Sequence, residues 1–258
     1  MKLKLNTPTN TDVIRKVNIK DKLKELGISL DDISLGDFDV IGEYTARKTR
    51  PQDSEMYRKV GAFFRPNYER GILIYSLIKH YKVESFLEIG HGKGFSTFCA
   101  AMAMDDLGKG KVVTIDPNID VDYTNQLKRV FPKAWFDRIS FMKSTSQEVL
   151  PVLLEKETFD FVFIDGDHTY EGTKHDWEQT KDKYNKILLF DDYHLPGKEK
   201  QKYDDQSIQC AQLIDEIDDP SKHLIIGDRR IFVDDRGYSD DQINAGQVLL
   251  VHESVRDK

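Results

Sequence analysis

A chain of 258 residues with 39% hydrophobic, 32% charged and 10% aromatic side chains has the composition of a globular protein, which excludes collagen, coiled-coil and low-complexity architectures. Its 38 basic and 45 acidic side chains leave a net charge of −7 with no basic block, so no nucleic-acid partner is expected. Cys99 and Cys210 form neither a CxxC redox pair nor a zinc set, and no segment reads as a signal peptide or membrane span; a cytoplasmic protein without membrane contact is the expectation.

Residues 1–60 are polar and charge-rich around one amphipathic stretch, Val13, Ile14, Val17, Leu23 and Leu26, and predict a helical extension that covers a pocket or contacts a second subunit. Residues 61–258 predict the main domain. Ile72, Leu73, Ile74, Leu77 and Ile78 mark a buried helix from about Tyr68. Beyond it, apolar runs at Phe86–Ile89, Val112–Ile115, Ile139–Met142, Phe159–Ile164, Ile187–Phe190, Leu224–Ile226 and Val248–Val251 alternate with helical patterns, the signature of an α/β fold. The first five lack clean alternation, as strands of a parallel sheet buried on both faces do. Phe95, Phe98, Cys99 and Met102 give the following helix one apolar face, which makes Cys99 a packing residue. Ile208, Ala211, Ile214 and Ile217 mark a late helix ending near Pro220, and Lys198–Gln206 reads as a polar surface loop.

Ligands of open α/β sheets lie outside the carboxyl ends of the strands, and there this chain carries acids: Glu88, Asp116, Asp165 and Asp191. Capping of the following helices is the alternative reading of such acids. Between the first run and its helix stands Glu88-Ile89-Gly90-His91-Gly92-Lys93-Gly94, whose glycines let a ligand touch the backbone. Position 95 is Phe, so a dinucleotide fingerprint fails, and Gly94 after Lys93 breaks a P-loop. Glu88 would oppose a pyrophosphate but suits a cationic amino-acid end. Asp116, 26 residues past Gly90, is placed to accept hydrogen bonds from both hydroxyls of a ribose. A nucleoside with an amino-acid tail is S-adenosylmethionine.

Over Tyr68 to Glu253 these features resemble the class I S-adenosylmethionine-dependent methyltransferases. The resemblance implies a Rossmann-like, seven-stranded, mostly parallel sheet with helices on both faces and an antiparallel last strand. It implies that Glu88, Gly90, His91, Gly92, Gly94 and Ser96 hold the methionine end, Asp116 the ribose, and Ser146 and Gln147 the adenine, with Asp165 also beside the cofactor. A helix cap is the alternative for Ser96.

The segments Asp165-Gly166-Asp167-His168-Thr169-Tyr170-Glu171-Gly172 and Asp191-Asp192-Tyr193-His194 bring carboxylates to adjacent strand ends. Asp165, Asp191 and Asp192, without cysteine, suit a hard cation, Mg²⁺ or another divalent ion. The pattern is similar to metal-dependent small-molecule O-methyltransferases of the catechol and caffeoyl-CoA types and of the macrocin type, the DGDH wording being closest to the last. It departs from the catechol type, which has Asp-Asn where this chain has Asp191-Asp192. His168 stands where that type keeps a lysine base; Asp167 is the alternative base, and a turn-ordering role is the alternative for His168. Tyr193 and His194 are expected at the pocket, as wall or as more. The resemblance implies methyl transfer to a hydroxyl of a small molecule, a sugar or other natural-product diol; a homo-oligomer is a further expectation. A silent methyltransferase-fold binding protein stays open. A DxD phosphatase or glycosyltransferase is disfavoured, since Asp167 and Asp192 are only 25 residues apart and the glycine loop would have no role.

Overall fold

The computed structural model describes residues 68–194, 209–226 and 245–256, with short pieces at 23–24, 27–28, 38, 41–42, 45, 63–64 and 232–233. The main sheet has seven strands: β1 Ser85–Ile89, β2 Lys111–Ile115, β3 Ile139–Met142, β4 Phe159–Ile164, β5 Tyr184–His194, β6 His223–Ile226 and β7 Ala245–Val251. Their order is β3-β2-β1-β4-β5-β7-β6. The first five pair parallel, and β7 lies antiparallel between β5 and β6, so the fold is the Rossmann-like, mostly parallel sheet that the sequence implies. Helix α1 is Tyr68–Tyr81, α2 Phe95–Asp106, α3 Val121–Leu127, α4 Lys133–Phe136, α5 Ser146–Lys156, α6 Tyr170–Thr180, α7 Cys210–Glu216 and α8 Glu253–Arg256.

Successive strand residues feed two cores, which is why the runs show no polar alternation. Phe86, Phe161, Phe163, Ile187 and Leu189 pack with α1 and α2 on one face. Leu87, Ile89, Val162, Ile164, Leu188 and Phe190 pack with Leu150 and Leu154 of α5 and Ile214 of α7 on the other. Leu23, Phe38 and Ile41 join the first core. Helix α1 presses closely on α2 because residue 71 is glycine: a Cβ there would lie 2.7 Å from the Phe95 ring and 2.9 Å from Cys99 Sγ. Cys99 is buried in this contact, as its spacing predicts.

Strand β5 runs four residues past the apolar stretch that predicts it, through a bulge against β7 between Phe190 and Tyr193. Asp192 takes a positive φ of 52° there, a conformation that Asp tolerates better than bulky residues do. Most of the proposed extension at 1–60, the loop Lys198–Gln206, Ile208 and the side chain of His194 lie outside the described residues. No described helix is long and apolar enough to cross a membrane.

Candidate active site

The glycine loop bridges β1 and α2 in a conformation that needs its glycines: Gly90, Gly92 and Gly94 have φ of 98°, 54° and 88°. Gly90 N–H donates to Ile115 O, and Asp165 N–H to Ile89 O, both at 2.8 Å, which fixes the loop to the ends of β2 and β4. Beneath it Glu88 is fully buried. Its carboxylate accepts from Ser96 Oγ at 2.5 Å, Thr114 Oγ1 at 2.6 Å and Thr97 Oγ1. This corrects the expectation that Glu88 meets the methionine end. Strand periodicity turns Glu88 to the same face as Phe86, where three hydroxyls occupy it, and it anchors the loop from below. Ser96 is no cap either, since Gly94 holds that position and no side chain caps α2. His91 Nδ1 lies 2.8 Å from Thr97 Oγ1, and its ring meets Phe141 edge to face.

Above the loop opens a cavity of ≈ 460 Å³ at the carboxyl edge of the sheet. Gly90, His91, Gly92, Ser96, Asp116, Ser146, Gln147, Asp165, Asp167, His168 and Asp192 all border it, so the structure gathers most of the residues singled out in the sequence. Asp116 Oδ2 accepts from Gly92 N–H at 2.8 Å and Oδ1 from Asn118 N–H at 2.7 Å. Ser146 and Gln147 form the first turn of α5. Arg70 and Thr45 also border the cavity, and sequence reasoning passed over both.

At the other end Asp165 and Asp191 share a partner. Arg70 Nη1, from the first turn of α1, donates to Asp165 Oδ2 at 3.0 Å and to Asp191 Oδ2. The second oxygen of Asp191 accepts from Gln247 Nε2 on β7 at 2.7 Å. No sequence signal singles out Arg70: a cation in the first turn of a helix opposes the helix dipole only weakly, and water can satisfy it. His168 Nδ1 lies 3.4 Å from Asp192 Oδ2 and 3.9 Å from Cys210 Sγ. Asp167 Oδ1 accepts from Thr169 N–H at 3.0 Å, and its carboxyl packs over Gly172, where a Cβ would lie 2.4 Å from it. Tyr193 is not a pocket residue; it turns to α7, its hydroxyl donating to Asp215 at 2.8 Å.

Burial penalises the charge of Arg70, but Asp191, Asp165 and Asp192 outweigh this and raise its pKa. Burial pushes Asp165 well above the usual carboxylate range; Arg70 opposes this, while Asp191, Asp192 and Glu88 add to it. For Asp191 burial also pushes upward, but Arg70 and Gln247 overcome it and its pKa falls.

Asp176 of α6 is a separate case. It is fully buried, neither oxygen has a partner within hydrogen-bond geometry among the described residues, and burial lifts its pKa from 3.8 to about 7, opposed by the nearby Ser146 hydroxyl and reinforced by Asp167. The folded state therefore binds a proton that the unfolded chain releases above pH 3.8, and stability falls as pH rises to about 7. Asp176→Asn is expected to stabilise the protein by roughly 2–4 kcal/mol at pH 8 and progressively less toward pH 4, read as denaturant midpoints across pH. A variant no more stable at pH 8 than native protein would show that Asp176 is charged and satisfied.

The cavity fits S-adenosylmethionine by its own features. Its glycine loop borders the space with backbone and without side chains at Gly90 and Gly92, an uncapped helix N-terminus suits a carboxylate, and Asp116 faces the space with lone pairs to spare. The expected metal set fits less well. Both oxygens of Asp191 are engaged by Arg70 and Gln247, and among the described residues the side chains that bring ligand atoms within 4.8 Å of one another are Asp165, His168 and Asp192. Two carboxylates and an imidazole are not the all-oxygen set of a magnesium site, and Arg70 already binds one of them.

Residues 87–193 match a family described as "Methyltransferase domain". The chain is 30% identical over 131 residues to "Probable caffeoyl-CoA O-methyltransferase 1" of Dictyostelium discoideum, an alignment covering 46% of this chain and 55% of that relative, and matches its paralogue 2 equally. It thus spans about half the length of the curated relatives it matches. Among solved structures it resembles the O-methyltransferase TomG from Streptomyces achromogenes, in complex with S-adenosylmethionine, at a TM-score of 0.57 and 15% identity, covering 92% of this chain and 97% of that one. It also resembles an O-methyltransferase from Bacillus cereus, in complex with S-adenosylhomocysteine, at 0.51 and 14%, covering 96% and 94%. The family match covers residues 87–193, and the strand order is that of the Rossmann-like methyltransferase fold shared with these solved structures.

Proposed function

We propose that the protein moves a methyl group from S-adenosylmethionine to a hydroxyl oxygen of a small molecule, a catechol, a sugar or another natural-product diol. One observation carries the reading: a single cavity holds the glycine loop and Asp116 together with His168 and Asp192. The caffeoyl-CoA O-methyltransferase relatives support an oxygen acceptor. A nucleic-acid acceptor has no support in a chain of net charge −7.

The cofactor, when bound, supplies a methyl group activated by a sulfonium. The backbone N–H groups at the start of α2 receive its carboxylate, and Asp116, whose two oxygens each hold one loop N–H, offers its remaining lone pairs to the ribose hydroxyls. Ser146 and Gln147, which border the same cavity, would meet the adenine. His168 is the group placed to take the acceptor proton, and Asp192 stabilises the imidazolium that results. Asp167 is the less available base, because its carboxylate is engaged by Thr169 N–H and orders that loop.

Calorimetry with S-adenosylmethionine and a turnover screen over sugars, catechols and hydroxylated metabolites test this. Asp116→Ala is expected to weaken cofactor binding by about 1.5–3 kcal/mol, the loss of hydrogen bonds to a charged group. Unchanged affinity would remove Asp116 from the cofactor site, and turnover confined to amines would overturn the oxygen acceptor.

A further inference from the structure

We propose that Arg70 is the resident cation of this site: its guanidinium, bound to Asp165 and Asp191, stands where the resemblance implies a divalent metal, and the acceptor end works without added metal. The inference rests on the methyl-transfer reading for its function, but its geometry stands independently of it.

Three observations carry it. First, the guanidinium is held from its root. Arg70 leaves α1 one residue before Gly71, which packs directly against Phe95 and Cys99 of α2, so its Cα cannot retreat without opening the core. Second, the head is specifically bound. Nη1 reaches Asp165 Oδ2 at 3.0 Å and also Asp191 Oδ2, Cζ lies 5.9 Å from the centre of the Phe163 ring, and the side chain is only 16% exposed. Third, Asp191 is engaged from the opposite side by Gln247 of β7, so a metal recruiting this carboxylate must displace Arg70 and the amide together.

Arginine is suited to this place in a way lysine is not. It stays protonated across the working pH range, so it can neither act as the base nor leave the carboxylates by losing its charge. One nitrogen of its guanidinium, Nη1, reaches two acids on neighbouring strands, β4 and β5, and the flat, weakly hydrated head lies near the Phe163 ring, a setting that suits a guanidinium better than a strongly hydrated ammonium. Bordering the cavity, it sets a fixed positive charge beside the oxygen that becomes negative as His168 takes its proton. A divalent ion placed among Asp165, His168 and Asp192 would sit against that charge with Asp165 already shared.

The test is a Mn²⁺ titration followed by electron paramagnetic resonance, on native protein and on Arg70→Gln, without acceptor. Native protein is expected to leave the free-ion signal intact into the millimolar range, whereas Arg70→Gln, with Asp165 and Asp191 released, is expected to bind Mn²⁺ at least tenfold more tightly. Arg70→Lys, which keeps the charge but not the flat guanidinium head, is expected to bind Mn²⁺ more weakly than Arg70→Gln, and S-adenosylmethionine calorimetry reports whether each variant is folded. Native protein binding Mn²⁺ as tightly as Arg70→Gln overturns the proposal; should Arg70→Gln fail to fold, tight Mn²⁺ binding by native protein that Asp192→Asn abolishes overturns it equally, and its absence supports it. Turnover lost in EDTA and restored by Mg²⁺ also overturns it. Failure of native protein to bind S-adenosylmethionine would sink the methyl-transfer reading and leave the Mn²⁺ result to stand by itself.

Discussion

The His168→Ala variant is expected to transfer methyl groups about 10²–10⁴-fold more slowly than native protein, the usual contribution of a general base. Cofactor affinity should change little, because His168 stands at the acceptor end, beside Asp192 and Cys210. The pH profile separates this role from a structural one. Burial works against the charge of His168, but the hydrogen bond to Cys210 and the charges of Asp192 and Asp191 outweigh it and raise its pKa from 6.5 to about 9. The basic form is the deprotonated one, so kcat/KM, which reports the free enzyme, should climb about tenfold per pH unit below that pKa and level off above it. In His168→Ala that limb should disappear. A variant with native rate and the limb intact would hand proton removal to Asp167 or to solvent.

Much of this site is legible in the sequence because a parallel strand buried on both faces announces itself as an apolar run, and the first polar residue after it falls at the ligand edge. Asp116 and Asp165 are found this way, and each lies where its run ends. Glu88 misleads because it sits inside β1, one residue before the end, and side-chain alternation rather than position along the strand decides what it touches. Asp191 misleads for a related reason. Consecutive strand residues point to opposite faces, so a pair of acids cannot both turn to one cavity; the bulge at Asp192 re-aims that residue and leaves Asp191 buried against Arg70. Arg70 itself meets Asp165 across 95 residues of sequence, a pairing that only the packing of α1 on α2 creates. Asp176 is hidden differently. Its helix, Tyr-Glu-Gly-Thr-Lys-His-Asp-Trp-Glu-Gln-Thr, is polar along most of its length, and nothing in it marks the one acid that faces inward.

Gly90→Ala is expected to weaken S-adenosylmethionine binding at least 100-fold, about 2.7 kcal/mol. Two costs combine. The φ of 98° lies where an L side chain is strained. More costly, the new Cβ would stand 1.9 Å from Asp165 O and 2.4 Å from its carbonyl carbon, both rigid backbone atoms. Relief requires the ends of β1 and β4 to part, which breaks the 2.8 Å bond from Asp165 N–H to Ile89 O and moves the wall that carries Asp165 away from the loop. Gly108→Ala supplies the control: its φ is 72°, and no atom lies within 4 Å of the added Cβ, so it bears backbone strain with no collision. That variant should lose on the order of 1 kcal/mol of stability and bind the cofactor as native protein does. Calorimetry on the two variants side by side distinguishes a cradle from a mere turn, for equal affinities in Gly90→Ala and Gly108→Ala would mean that the cofactor does not rest on this loop.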